Sequence, residues 1–293
     1  MTAVPAGEGR EARAETLLLY SGGTDSTLAA CLLAERYARV RLVTFSRFGL
    51  FSATNPLVNV AKLKSRYGRE RFSHEIIPMD GIFRKVSYDR FLPNLFRHGF
   101  FLLSTCGLCK LAMHARALIY CLDNGVGRVS DGANKGMNLF PDQQPGVIGM
   151  LKTMYAKFGI EYSNPVFDFE GPQDIEFADR FHLERLPGLA VERDAAFQER
   201  RKRTAGYRLY ELGMMPSDNV KGTELDRRMQ PRCFQFILFN IWLRWYYLPF
   251  ADMDRYVRES DAFFKAKIER FTALLEEYRA KGPASELAGC VES

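Results

Sequence analysis

Taken only as hydrophobic and polar positions, the first half of the chain alternates two patterns. Thr16-Leu-Leu-Leu-Tyr20, Val40-Arg-Leu-Val-Thr-Phe45, His74-Glu-Ile-Ile-Pro78, Gly127-Arg-Val-Ser130 and Tyr162 to Phe167 are short runs of strand type. Helical spacing fills the gaps between them. It runs from Asp25 to Tyr37, and from Pro56 to Tyr67 with Asn55 as N-cap and Pro56 at the first position. A third helical stretch covers the nineties, a fourth follows a loop at Cys106 and ends at Leu122, and a fifth lies near Gly146 to Phe158. Strands separated by helices of this length pair in parallel, with helices on both faces. The expected fold is therefore α/β, a doubly wound parallel sheet of five strands, whose ligands bind at the carboxyl ends of strands where the strand order reverses.

After Phe169 the strand signal fades and helical patterns take over. Met253 to Ala280 is a long amphipathic helix. The longest apolar stretch, Cys233 to Phe250, is interrupted by Gln235, Asn240 and Arg244. Its apolar positions Phe234, Ile237, Leu238, Ile241, Trp245 and Leu248 follow helical spacing, which predicts a core helix rather than a membrane span. The chain divides into a tail over 1–14, an α/β domain over 15–170 and a helical C-terminal extension over 171–293, with no internal repeat.

Composition narrows the class. Over 293 residues, 47% apolar and 26% charged is the soluble globular average, which excludes disorder, collagen and coiled coil. Met1 to Glu15 is polar, with no apolar stretch of signal-peptide type, so a cytoplasmic location is expected. Lys and Arg number 41 against 35 Asp and Glu, a net +6 that suits an anionic partner without demanding one. Ala196 to Arg232 holds nine Lys/Arg against five Asp/Glu, including Arg200, Arg201, Lys202 and Arg203. Such a run is either a solvated face or a contact for an anionic substrate. Six cysteines with no Asn-x-Ser/Thr acceptor point to reduced thiols rather than a disulfide framework.

The first candidate chemistry is the turn Ser21-Gly-Gly-Thr-Asp-Ser-Thr27 between the first strand and the first helix. Two glycines permit a tight turn and a close backbone approach. The following residues bring hydroxyls and amides to a helix N-terminus, where an anion is favoured. Neither Gly-x-x-x-x-Gly-Lys-Ser/Thr nor Gly-x-Gly-x-x-Gly is present, so this is not a Walker A loop or a dinucleotide fingerprint.

Ser-Gly-Gly-x-Asp-Ser after an apolar strand resembles the PP-loop of the N-type ATP pyrophosphatases, enzymes of HUP-like fold that include tRNA thiolation and sulfur-insertion enzymes. The resemblance covers Glu15 to Phe169. It implies that ATP is cleaved between its α and β phosphates, that a substrate oxygen is adenylated, and that a nucleophile displaces AMP. By the same resemblance Ser21, Gly22, Gly23, Thr24, Asp25, Ser26 and Thr27 cradle the pyrophosphate, with Asp25 helping to hold Mg²⁺, a hard cation suited to oxygen donors. Thr44, Phe45 and Ser46 fall where the family seats adenine and ribose.

Cys106-Gly-Leu-Cys109-Lys110 precedes a helix. Alone, such a pair fits a Zn²⁺ site lacking two ligands, a redox dithiol, a cluster or persulfide site, or a buried structural pair. PP-loop sulfurtransferases carry a Cys-x-x-Cys here and a third cysteine far downstream, the three holding a 4Fe-4S cluster whose fourth iron binds sulfide. Cys233, 124 residues beyond Cys109, matches that third position. Cys31 and Cys121 have core spacing, Cys290 lies in the Gly-containing tail, and His114 stays outside the ligand set. The segment Val129-Ser-Asp-Gly-Ala-Asn-Lys135 is similar to the Asp-Gly-x-Asn segment of the sulfur-insertase branch. That similarity implies that Asp131, Gly132 and Asn134 meet metal or ribose, and that Lys135 and Lys110 meet phosphate.

These readings converge on an ATP-dependent sulfurtransferase acting on a tRNA base or a small molecule, with a sulfur donor as partner, no membrane and a possible homodimer. Two alternatives stand beside it. One is an ammonia-using ligase with the cysteines as a structural zinc site; the other is a nucleotide-sensing module without turnover.

Overall fold

The structure is a computed structural model that describes residues 13–103, 106–170 and 195–291. Five parallel strands form the sheet: β1 (Arg13–Leu19), β2 (Tyr37–Ser46), β4 (Phe72–Pro78), β5 (Arg128–Asp131) and β6 (Glu161–Ser163), in the order β4-β2-β1-β5-β6. All four neighbouring pairs are parallel, with Leu18 of β1 opposite Leu42 of β2 and Ser130 of β5. The chain winds outward from β1 to β4 on one side and from β5 to β6 on the other. The switch point therefore lies between β1 and β5. The fold is the expected Rossmann-like sheet of HUP type. The expected tail begins outside the described residues, and the first strand starts at Arg13, earlier than the boundary at 15.

Both faces are covered. On one, α1 (Thr24–Ala34) and α2 (Leu57–Tyr67) bury Leu28, Cys31, Leu33, Val60 and Leu63 against the sheet. Beyond α7 (Ala195–Lys202) the later helices join them: Leu209 of α8 (Ala205–Glu211) and Met229 of α9 (Glu224–Met229) lie in the same cluster. On the other face pack α3 (Asp80–Tyr88), α5 (Gly107–Asn124) and α6 (Pro145–Ala156). Over them runs the long helix α11 (Met253–Lys281), which sends Phe263, Phe264, Ile268, Phe271, Leu274 and Leu275 into the core. The helical extension is thus present, and it completes both layers of the sheet. Its part over 171–194 lies outside the described residues. Between β4 and α5, the helix α4 (Phe91–Leu103) breaks its helical backbone at Gly99.

Several local expectations change. Asn55 does not cap α2; its side-chain amide donates to the carbonyls of Arg227 and Gln230, so it ties α2 to the end of α9. A two-stranded antiparallel ribbon, β3 (Leu50–Phe51) with β7 (Arg232–Cys233), pairs segments that carried no strand pattern. Cys290 sits half-buried in the short helix α12 (Ala288–Val291), while Cys31 and Cys121 are buried as expected.

The largest correction concerns the apolar stretch after Cys233. It is helical as α10 (Phe234–Trp242), continuing into a π-type turn over Leu243–Tyr247, but it is not a core helix. Only Phe239 and Leu243 are buried, whereas Phe234, Ile237, Leu238, Ile241, Trp242, Trp245 and Tyr246 face solvent. Periodicity correctly marked the helix; the apolar stripe points outward. Among the described residues no helix is long and apolar enough to cross a membrane.

Because α11 supplies one face of the core, it should unfold with the sheet. Phe271→Ala, at a fully buried ring, is expected to cost about 3–5 kcal/mol. Leu28→Ala on the opposite face should lower the midpoint of the same single urea transition, read by circular dichroism and by tryptophan fluorescence; separate transitions would show independent units.

Candidate active site

The loop after β1 is shaped by its own polar groups. Gly22 has φ +77°, and a Cβ there would meet the Met229 carbonyl oxygen at 2.2 Å and Pro56 Cα at 2.7 Å, so only glycine fits. The Ser26 hydroxyl donates to the Gly23 carbonyl at 3.2 Å, and that of Thr27 to the Gly22 carbonyl at 3.2 Å. The Gly23 amide donates to Ser21 Oγ at 3.3 Å, and Ser21 and Ser26 share a hydroxyl contact at 3.0 Å. Gly23 is the N-cap of α1 and supplies no side chain to its first-turn amides. Asp25 follows in the first turn, so a carboxylate stands beside the anion-favouring helix end. Asn59, buried on α2, donates to the Gly22 carbonyl at 2.8 Å, a contact no motif announced.

The loop after β5 lies against this one. A Cβ on Gly132 would fall 2.8 Å from the Ser26 amide nitrogen, so the Asp131-Gly132 turn and the first turn of α1 are in direct backbone contact across the switch point. Asn134 is spent on its own loop: its carbonyl oxygen accepts from the Gly136 amide at 2.8 Å and its amide donates to the Val166 carbonyl at 3.4 Å. Lys135 is exposed beside it. Of the β2 residues, Thr44 is buried and donates to the Tyr20 carbonyl at 2.7 Å, and Phe45 belongs to the sheet core. The Ser46 carbonyl accepts from the Met79 amide at 2.9 Å.

Asp131 is fully buried and joins the two loops to α5. Its carboxylate pairs with Lys110 Nζ at 3.0 Å, lies 3.6 Å from His114 Nε2, and accepts from the Ala133 amide and the Asn164 side chain. Burial alone would raise its pKa, but Lys110 and His114 hold it down to about 2. Burial lowers His114 to about 3, with Lys110 adding to the effect, so its imidazole is neutral; its Nδ1 meets Tyr155 Oη at 3.1 Å. Lys110 goes up despite burial, because Asp131 and Asp142 favour its charge. Asp142, buried in the turn before α6, is raised by burial to about 6. His114, left outside the ligand set on sequence grounds, is thus part of the buried network around Asp131.

Two of the cysteines meet at Arg47, a buried residue at the end of β2. Its Nε donates to Cys109 Sγ at 3.0 Å and its Nη2 to Cys233 Sγ at 3.6 Å and to Gln235 Oε1 at 3.0 Å. The guanidinium also stacks over the Phe83 ring at 4.1 Å. Cys106 stands at the start of α5 in the same pocket, where burial first and then Asp142, Cys109 and Cys233 push its thiol up. Cys109 is likewise raised by burial, with Arg47 opposing. Cys109 of α5 and Cys233 of β7 are thus brought to one guanidinium, with Cys106 at the N-cap of α5 electrostatically coupled to both. The thiols supply soft donors of the kind that Zn²⁺ and iron–sulfur centres take. Among the described residues, however, no three His, Cys, Asp or Glu stand at metal-ligating spacing.

A second feature borders the Ser21–Thr27 loop. Gln198, Arg201, Lys202, Tyr207, Tyr210 and Asp218 line an open cavity of about 310 Å³. It adjoins Gly206, where a Cβ would lie 3.8 Å from the Thr24 methyl. Part of the basic cluster therefore faces a cavity next to the loop, with Arg201 paired to Asp218.

The sheet order and the loop at its switch point define a Rossmann-like, HUP-type nucleotide-binding fold, in line with the resemblance carried by the Ser21–Thr27 loop. Among solved structures, the chain is similar to a predicted subunit of tRNA methyltransferase from Methanocaldococcus jannaschii, at 19% identity over 75% of this chain and 96% of that one, TM-score 0.36. It is also similar to the U34-tRNA thiolase NcsA from Methanococcus maripaludis with its 4Fe-4S cluster, at 13% identity over 97% of this chain and 83% of that one, TM-score 0.39. No family model matches the chain, and no curated protein matches it significantly.

The buried network makes a pH prediction in which two groups oppose each other. His114, lowered from 6.5 to about 3, costs stability as pH falls from 6.5, because the unfolded chain takes up the proton first. Asp142, raised from 3.8 to about 6, adds stability over the fall from 6 to 3.8 and loses it as pH rises through 6. Each slope reaches at most about 1.4 kcal/mol per pH unit. Urea midpoints from pH 7 to 4 should therefore be nearly flat for these two groups. Asp142→Asn should fall more steeply than wild type on acidification and His114→Gln less steeply; parallel curves for all three would refute the assignment.

Proposed function

We propose that the protein is an ATP-dependent sulfurtransferase. The observation that supports this reading is the contact of both Cys109 and Cys233 with Arg47, in a chain whose glycine-rich loop stands at the switch point of the sheet. Lys110 links the two centres: it follows Cys109 directly and pairs with Asp131, whose turn touches α1. In the proposed reaction the amides and hydroxyls of Ser21 to Thr27 bind the phosphates of ATP, with Asp25 holding Mg²⁺. A substrate oxygen attacks the α phosphorus, the bond to the bridging oxygen breaks, and pyrophosphate leaves. A sulfur nucleophile then attacks the carbon that bears the adenylated oxygen, and AMP departs with that oxygen. The activation is needed because a carbonyl oxygen is a poor leaving group until it is esterified.

Cys106, Cys109 and Cys233 would hold a 4Fe-4S cluster, which would supply sulfur for the activated substrate. Arg47 would neutralise thiolate charge in that pocket. A tRNA base is the proposed substrate. The cavity beside the loop supports this through its two tyrosines and two cations, groups that stack bases and neutralise phosphate.

Purified protein given ATP, Mg²⁺ and tRNA is expected to release pyrophosphate and AMP, and Asp25→Ala should reduce that release at least about a hundredfold. Cys233→Ser should retain pyrophosphate release while forming no thiolated base, read by mass spectrometry of digested RNA. Anaerobic reconstitution with iron and sulfide should give absorbance near 400 nm in wild type and not in Cys233→Ser. Zinc at stoichiometry, with turnover indifferent to iron chelation and dependent on ammonia, would replace this reading with the ligase. ATP binding without pyrophosphate release would leave a nucleotide sensor.

A further inference from the structure

The surface of α10 is the part of the molecule that the proposed chemistry does not use. Phe234, Ile237, Leu238, Ile241, Trp242 and Trp245 occupy positions i, i+3, i+4, i+7, i+8 and i+11, one side of a helix, and all are exposed. Trp245 is 72% exposed and Phe250, just beyond the π-type turn, 83%. With roughly 150–250 Å² for each aromatic side chain, the exposed part of the four aromatics named here is about 500 Å². The three aliphatic residues bring it near the roughly 800 Å² that each partner contributes to a standard stable interface. A monomer seldom leaves so large a continuous apolar patch in water.

We propose that this stripe is the isologous interface of a homodimer, with α10 packed against its own copy across a two-fold axis near Ile241. Charge selects this occupant. From Phe234 to Phe250 the only Lys, Arg, Asp or Glu is Arg244, so the helix lacks the cationic face by which a helix lies on a lipid surface. It equally offers nothing for a charged partner to read. A stripe that is apolar throughout is complementary to itself, as a two-fold contact requires. Ile241 lies near the middle of the stripe, where a helix crossing its own copy makes its closest approach.

The stripe starts at Cys233, the N-cap of α10, and β7 brings exposed Phe51 opposite Arg232 at the same edge. Dimerisation would therefore cover one rim of the thiol pocket. That consequence rests on the sulfurtransferase reading, whereas the self-association does not.

Sedimentation velocity on the full chain at 1–50 µM, an interval of about the usual working range for such interfaces, is expected to show a species of twice 33.5 kDa. Ile241→Glu and Trp245→Glu should each weaken self-association at least tenfold with an unchanged circular dichroism spectrum. Phe96→Glu, at an exposed ring on α4, should leave it unaltered. Should the charged variants misfold, Ile241→Cys is expected to give a covalent dimer with a short bismaleimide above the wild-type background. A monomeric wild type, a dimer insensitive to both charged variants, or flotation of the protein with anionic vesicles would overturn the proposal. Loss of pyrophosphate release with the dimer intact would bear only on the function proposed above.

Discussion

The ion pair between Lys110 and Asp131 couples the parts of this molecule that its sheet alone would leave separate. Asp131 closes β5, and its backbone runs straight into the turn packed on α1. Lys110 stands in the first turn of α5, next to Cys109. A carboxylate with no exposure to water is tolerable only when it is paired and hydrogen-bonded. Here Lys110, the Ala133 amide and Asn164 supply those partners, and neutral His114 with Tyr155 and Tyr162 encloses them. Removing Lys110 would leave a buried charge with no cation beside it, at the place where the Ser21–Thr27 loop and α5 are held in register.

Arg47 has the corresponding role for the thiols. Of the three sulfurs, Cys106 and Cys109 are pushed up by burial, and the pocket would be apolar without it. A guanidinium aimed at two of the three makes the pocket polar and gives their charged form a partner. The phenyl ring of Phe83 then holds the guanidinium plane in place.

Much of the frame was legible in the sequence because it is local. The alternation of strand and helix, the glycine turn at Ser21–Thr27, the Cys-x-x-Cys pair and the long helix after Asp252 all announce themselves within a few residues. The remainder depends on contacts between distant segments. Arg47 lies 62 residues from Cys109 and 186 from Cys233, and it sits in an aromatic stretch after β2 with no motif around it. Asp142 and Asn59 are single polar residues whose importance appears only with burial. The helix after Cys233 shows a different limit. Periodicity identifies an apolar side, but the same pattern serves a core and an interface, and only the packing of the neighbours tells which.

The segment that leaves α9 touches both centres. The Met229 carbonyl closes on Gly22, and four residues later Cys233 reaches the guanidinium of Arg47. Four residues of fully extended chain span at most roughly 14 Å. The backbone is thus a ruler fixed at both ends, and it sets the greatest separation the loop and the thiol can have. Under the proposed reaction, a group activated at one end would meet its nucleophile at the other without being released, as a matter of reach within one crevice.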